Sequence, residues 1–167
     1  MRTITLAAGA ALILGLAGSA FAQSDRPDYK DLAQVEAWMA RAKITGMARP
    51  GQEREWLLVG VAPEGVYLSR RLLDSSHNRG SKFTIVVNRL ELFAPQIAGD
   101  RMVSSISYDN EVDCLHRTTR RVVETTYLKH NLVGSPKSTR LQRPFRPVSE
   151  DPAMVSVIDD ICRAVEG

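Results

Sequence analysis

Two long stretches of this chain hold at most one acidic residue each, and histidine, cysteine and aromatic residues are scarce throughout. The first 22 residues hold one base, Arg2, and no acid; between Leu115 and Pro147 the only acid is Glu124. With two cysteines and three histidines, few side chains are available for metal binding or nucleophilic chemistry. Zinc sites normally use two close ligand pairs. Here only Cys114 and His116 are close, with His130 and Cys162 far along the chain, so no metal is expected. A C-x-x-C redox pair, a G-x-S-x-G nucleophile elbow and a glycine-rich phosphate loop are all absent. No cofactor is expected. Beyond Ala22 no segment is apolar enough to cross a membrane as a helix.

What is present begins with an address. Met1-Arg2 is a short positive start, Leu6–Gly18 is apolar, and Ala20-Phe21-Ala22 places small residues where a signal peptidase reads them. An uncleaved anchor is the alternative, but the richness in Ala and Gly and the Ala-x-Ala end favour cleavage after Ala22. Gln23 follows, so a lipid-bearing amino-terminal cysteine is not expected. The chain reads as an exported protein, periplasmic or secreted, with residues 1–22 as signal peptide. An oxidising compartment favours pairing Cys114 with Cys162. That closes a loop of 49 residues, for which chain entropy gives at most about 4 kcal/mol of stabilisation.

Residues 23–52 read as a polar leader and one amphipathic helix. Leu32, Val35, Trp38, Met39 and Ala42 recur at helical spacing within Asp31–Lys43. Asp28 or Asp31 is the expected cap, and Gly46 the expected stop. Residues 53–167 form the main domain. Trp56–Ala62 and Val66–Leu73 flank the turn Pro63-Glu64-Gly65; Lys82–Phe93 is a long strand ended by Ala94-Pro95. Its inward set shifts from Phe83, Ile85 and Val87 to Leu90 and Leu92, which suggests a bulge. Met102–His116 gives one or two extended pieces, Arg120–Lys129 another strand, and Ser138–Phe145 a last one. Asp151-Pro152 opens a closing helix whose inward face holds Val155, Ile158, Ile161, Cys162 and Val165. The expected fold class is α+β: an antiparallel sheet of about six strands, the carboxyl-terminal helix on one face, and a short amino-terminal helix.

The charge map is the strongest functional signal. Eight cations against Glu124 make residues 115–147 net +7, while the rest of the chain after Ala22 is net −5. The candidate anion-binding residues are Arg117, Arg120, Arg140, Arg143 and Arg146. Arg140, Arg143 and Arg146 recur every third residue among prolines, so a polyproline-type backbone would align them. Alternation along a strand predicts that Arg120 and Arg121 cannot both join one patch. The competing reading is an ordinary solvated face, with arginines paired to Asp109, Glu111, Asp113, Asp159 or Asp160. Nucleic acid is not an expected partner, because export removes the opportunity.

Catalytic candidates are weak. Ser75-Ser76-His77 is a local polar cluster whose one visible acid is Asp74. His116 and His130 flank the basic strand. Asp109-Asn110-Glu111-Val112-Asp113 lacks the glycine and bidentate acid of a calcium loop and reads as a solvated strand rim.

The last 110 or so residues resemble the surface-adhesin protein E family of bacterial exported proteins. The resemblance rests on Trp56–Val61, Tyr67, Phe83–Leu92, Ser104 or Ser105, Asp113-Cys114, Tyr127, Gly134, Phe145–Ser149 and Cys162. It implies an antiparallel sheet backed by a carboxyl-terminal helix, and adhesion to host matrix proteins. Two departures stand out: Phe145 occupies the place of the family's usual Trp, and the lipidation cysteine of the tethered adhesin is missing. The reading is a non-enzymatic exported binding protein whose partner is a host matrix protein, a sulfated glycan or another envelope protein. A periplasmic structural or stress-related module, meeting its partner through a sheet edge or the Leu32–Ala42 helix, is the alternative.

Overall fold

The structure is a computed structural model, and it describes residues 25–44, 56–70, 83–155 and 157–166. The leading segment 1–22, the loop carrying His77, and Gly46 lie outside these residues. Among the described residues the helix α1 (Leu32–Arg41) precedes the strands β1 (Trp56–Ala62), β2 (Gly65–Arg70), β3 (Thr84–Ala98), β4 (Arg101–Asp113), β5 (Thr118–Tyr127), β6 (Lys137–Arg140) and β7 (Arg146–Pro147). Two short helices follow, α2 (Pro152–Val155) and α3 (Ile158–Glu166). The strands form one antiparallel sheet in the order β1-β2-β3-β4-β5-β6, with β7 also on β5. The mainly sheet architecture with helices at its ends agrees with the expected α+β class.

Local chemistry explains the ends of α1. The Asp31 carboxylate accepts the backbone N–H groups of Ala33 and Gln34, and these bonds with the Gln34 side chain hold its pKa below the usual range. The helix stops before Gly46. Lys43 adopts φ 52°, its N–H reaches Ala40 O, and the Ile44 N–H reaches Met39 O. This is the closure usually given to glycine, here carried by a lysine.

Cross-strand partners share a face, so the register sorts the sheet into two sides. Leu58, Leu68, Arg89, Ser107 and Thr125 line one side; Ser69, Asn88, Tyr108 and Glu124 line the other. Val35, Trp38 and Met39 of α1 pack on the first side against Val66, Phe93 and Leu58. Met154, Ile158 and Cys162 pack on the second against Val86, Val112 and Val148. The helical ends of the chain therefore cover opposite faces. The Cys114–Cys162 disulfide is present, with Cα atoms 5.4 Å apart. It ties α3 to the turn after β4.

Three sequence expectations are corrected. β3 shows no slip before Leu90: Val86, Leu90 and Leu92 keep one parity, and the register shift falls between Glu91 and Gln96. Because α1 covers one face and α2–α3 the other, apolar residues at both parities are sheltered and alternation loses its meaning. Ala94-Pro95 does not end the strand; it sits within the shifted segment, where a missing N–H costs no ladder bond, and pairing resumes at Gln96 with Val103. The closing segment forms two helices, Pro152–Val155 and Ile158–Glu166, rather than one. Met154 is buried and Val155 is half exposed.

Candidate anion-binding pocket

The stretch from Lys137 to Pro147 is laid along the outer side of β5. β7 pairs with Thr118 and Thr119, β6 pairs with Val123 to Thr126, and the Leu141 N–H reaches Val122 O. Between those two pairings lies a gap in the outer edge at Arg120 and Arg121. A cavity of 170 Å³ opens there, lined by Asn110, Thr119, Arg120, Arg121, Arg143, Pro144, Arg146, Pro147, Glu150 and Asp151. Four arginines thus line one small space.

Two of them are held in place. Arg120 meets Glu111 at 2.6 Å, and its guanidinium lies 4.6 Å from the centre of the Phe145 ring. Phe145 packs on Phe83 at 4.9 Å, which anchors the 141–147 segment to the sheet. Arg121 lies 3.6 Å from the centre of the Tyr108 ring and 3.7 Å from Glu124. Burial pushes the Tyr108 phenol up to about 12 and holds the neighbouring Asp109 carboxyl above its usual value. Arg143 and Arg146 are exposed, and among the described residues neither makes an ion pair.

The five candidate residues are therefore divided. Arg120, Arg143 and Arg146 share the pocket, whereas Arg117 is drawn to Asp159 at 2.7 Å. Arg140 is on β6 opposite Val123 and does not line the cavity. The three-residue repeat does not align its arginines, because Arg140 ends the strand β6 and Arg146 begins the strand β7, each paired with β5 at a different place. Arg121, argued away from Arg120 by alternation, lines the same cavity. The cavity lies at an unpaired strand edge, where neighbouring residues reach round from both faces. The acidic run 109–113 is no solvated rim: Asn110 and Asp113 are buried and Glu111 is committed to Arg120.

Glu111 was legible as Arg120's partner, although alternation alone did not reveal it. The four residues Cys114–Arg117 close a hairpin, and counting back symmetrically from that turn sets Glu111 against Arg120 and Asn110 against Arg121.

The histidine sites do not assemble a nucleophile. His116 Nδ1 lies 2.9 Å from Asp113 Oδ2 at an exposed turn. His130 Nδ1 lies 2.9 Å from Glu91 Oε2, and the Glu91 carboxylate also meets Arg89 Nε at 2.9 Å and accepts the Asn131 N–H. Ser105 stands opposite Glu91 in the ladder, but its hydroxyl donates to Lys129 O and accepts the Leu132 N–H. The cluster clamps the 128–134 loop. Burial lowers the Arg89 pKa, and Asn131 Nδ2 extends the clamp to the Lys43 carbonyl at the end of α1. Among the described residues no group of three metal-ligating side chains occurs, and no helix is long and apolar enough to cross a membrane.

Comparison of the whole arrangement with solved structures gives a consistent answer. The structure of Haemophilus influenzae protein E superposes with a TM-score of 0.51 at 13% identity, covering 71% of this chain and 89% of that one. Crystal form II of the same protein gives 0.51 at 15%, covering 74% and 96%. The chain has a protein E-like fold. Protein E from non-typeable Haemophilus influenzae agrees, with a TM-score of 0.50 at 13% identity and coverage of 71% and 83%. No family model and no curated protein matches the sequence at a significant level. The suspected resemblance to protein E thus holds at the level of the fold.

Proposed function

We propose that the chain is an exported, non-enzymatic binding protein that holds acidic groups of a protein or glycan surface in the pocket at the β5 edge. In this reading residues 1–22 are a cleaved signal, 23–52 carry the leader and α1, and 53–167 form the binding domain. The observation that carries it is the state of Arg143 and Arg146: they line a cavity beside two immobilised arginines yet make no ion pair among the described residues. A guanidinium without an acid partner, held close to others, is suited to forked contacts with carboxylate, sulfate or phosphate.

The protein E-like fold supports a binding role, and the resemblance in sequence points to host matrix proteins, sulfated glycans or an envelope partner as occupants. The alternative contact through α1 is less favoured, since Val35, Trp38 and Met39 are spent on the chain's own sheet.

The test is a binding screen on immobilised heparin and acidic matrix proteins with a salt titration. Replacing Arg143 and Arg146 by Glu should weaken binding by at least about 100-fold, since charge-assisted hydrogen bonds contribute about 1.5–3 kcal/mol each. The residual binding should also lose its salt dependence. Unchanged binding by the doubly reversed protein would remove the pocket from the account. Protease shaving of intact cells decides between a surface and a periplasmic site of action.

A further inference from the structure

The pocket is not uniformly basic, and its acids narrow what it accepts. Glu150 and Asp151 line the same cavity as Arg143 and Arg146, yet no ion pair within 4 Å joins Glu150 to either arginine. Asp151 is engaged locally: its carboxylate accepts the Met154 N–H at the start of α2, and its backbone N–H reaches Val148 O. Glu150 is exposed and forms no ion pair among the described residues. Glu150, Arg143 and Arg146 thus line a common space of 170 Å³ without closing on each other.

Resting on the pocket reading above, we infer that the guest is dipolar: an α-amino-acid head that offers its carboxylate to Arg143 and Arg146 and its ammonium to Glu150. A simple anion such as sulfate would gain the arginines and meet repulsion from Glu150. The zwitterion satisfies both signs at once, and its span of a few bonds suits a cavity this small. Arg120 and Arg121, already neutralised by Glu111 and Glu124, shape the floor and keep a second anion from being favoured. Such a head has two sources: a free amino acid, or the free end of a diamino-acid side chain within an envelope peptide.

Calorimetric titration of the full mature chain tests this with alanine, N-acetylalanine, acetate and a peptide carrying an unblocked diaminopimelate end. Alanine should bind at least 10-fold tighter than N-acetylalanine, and Glu150→Gln should bring the two together while tightening acetate binding, because the repulsion is removed. The tighter of alanine and the peptide names the source. Acetate and N-acetylalanine that bind, are lost in Arg143→Ala/Arg146→Ala, and match alanine would overturn the dipolar guest and leave the anion pocket standing. If none of the four binds, the dipolar guest is refuted, while binding to heparin that is lost on reversing Arg143 and Arg146 would still uphold the anion pocket. A preference for alanine that survives Glu150→Gln would also refute the assignment, because the ammonium would then lie elsewhere.

Discussion

Glu91 is the most exacting position in the molecule to perturb. It is fully buried, and its carboxylate receives Arg89, His130 Nδ1 and the Asn131 N–H, each at 2.9 Å. Arg89 is itself only 3% exposed, with its guanidinium 5.1 Å from the centre of the Trp56 ring. Replacing Glu91 by Leu strands that guanidinium in the interior and frees a loop whose residues Asn131 and Leu132 hold φ 61° and 58°. Breaking a buried pair on one side costs about 3–5 kcal/mol. With a urea slope near 2 kcal/mol/M, the midpoint should fall by roughly 1.5–2.5 M. Glu91→Gln, which keeps an acceptor for the Asn131 N–H, should lose less. Arg89→Leu/Glu91→Leu removes both charges and should be more stable than Glu91→Leu alone, with a coupling of about 0.5–3 kcal/mol. Urea unfolding followed by tryptophan fluorescence reads all of these, since Trp38 packs edge-on at 5.4 Å from His130. A loss below about 1 kcal/mol for Glu91→Leu, or two single effects that simply add, would refute the reasoning.

Four further outcomes are expected. Serine at both Cys114 and Cys162 should lower stability by up to about 4 kcal/mol, measured in the same urea experiment; no change would mean that α3 docks without its staple. Gly65→Ala should destabilise strongly, because a Cβ there overlaps the Glu91 carbonyl and lies 3.0 Å from Leu92 Cα; a thermal midpoint equal to the parent's would contradict that packing. Lys43→Gly should stabilise by about 1 kcal/mol, since it relieves a left-handed backbone at a non-glycine residue; a lower thermal midpoint would show that the lysine side chain outweighs the strain. On the alkaline side, burial lifts the folded Tyr108 pKa from its ordinary 10.0 to about 12. The stability it contributes is therefore complete below pH 10 and is lost as pH rises towards 12. Ultraviolet titration should show a late phenolate phase that Tyr108→Phe removes.

Much of the fold was legible because its signals are local. β1 falls on the expected Trp56–Ala62, and Asp31 caps α1 as its position before the apolar pattern suggested. Failures occurred where a distant element changed the rule. β3 is covered on both faces by segments more than forty residues away, so its alternation could not be assigned. The stop of α1 rests on Lys43, a residue with no preference for the left-handed region, supported by the Asn131 side chain on its carbonyl. For the pocket, three arginines of the charge run, Arg120, Arg143 and Arg146, come together around one cavity. The remaining two candidates were claimed by other contacts, Arg117 by an aspartate on α3 and Arg140 by a strand pairing, neither of which composition can express. Glu150 was missed because nothing in the sequence places the residues before α2 against β5.

The interruption along β5 also bears on how copies of this protein treat one another in a crowded compartment. A strand arriving from outside finds four residues at most on β6, bracketed by Lys137 and Arg140, and then two on β7, where Pro147 has no N–H to offer. The margin is too short and too charged to template the addition of another chain. The same break that opens a recess for a small guest denies a fibril its first rung on this edge of the sheet.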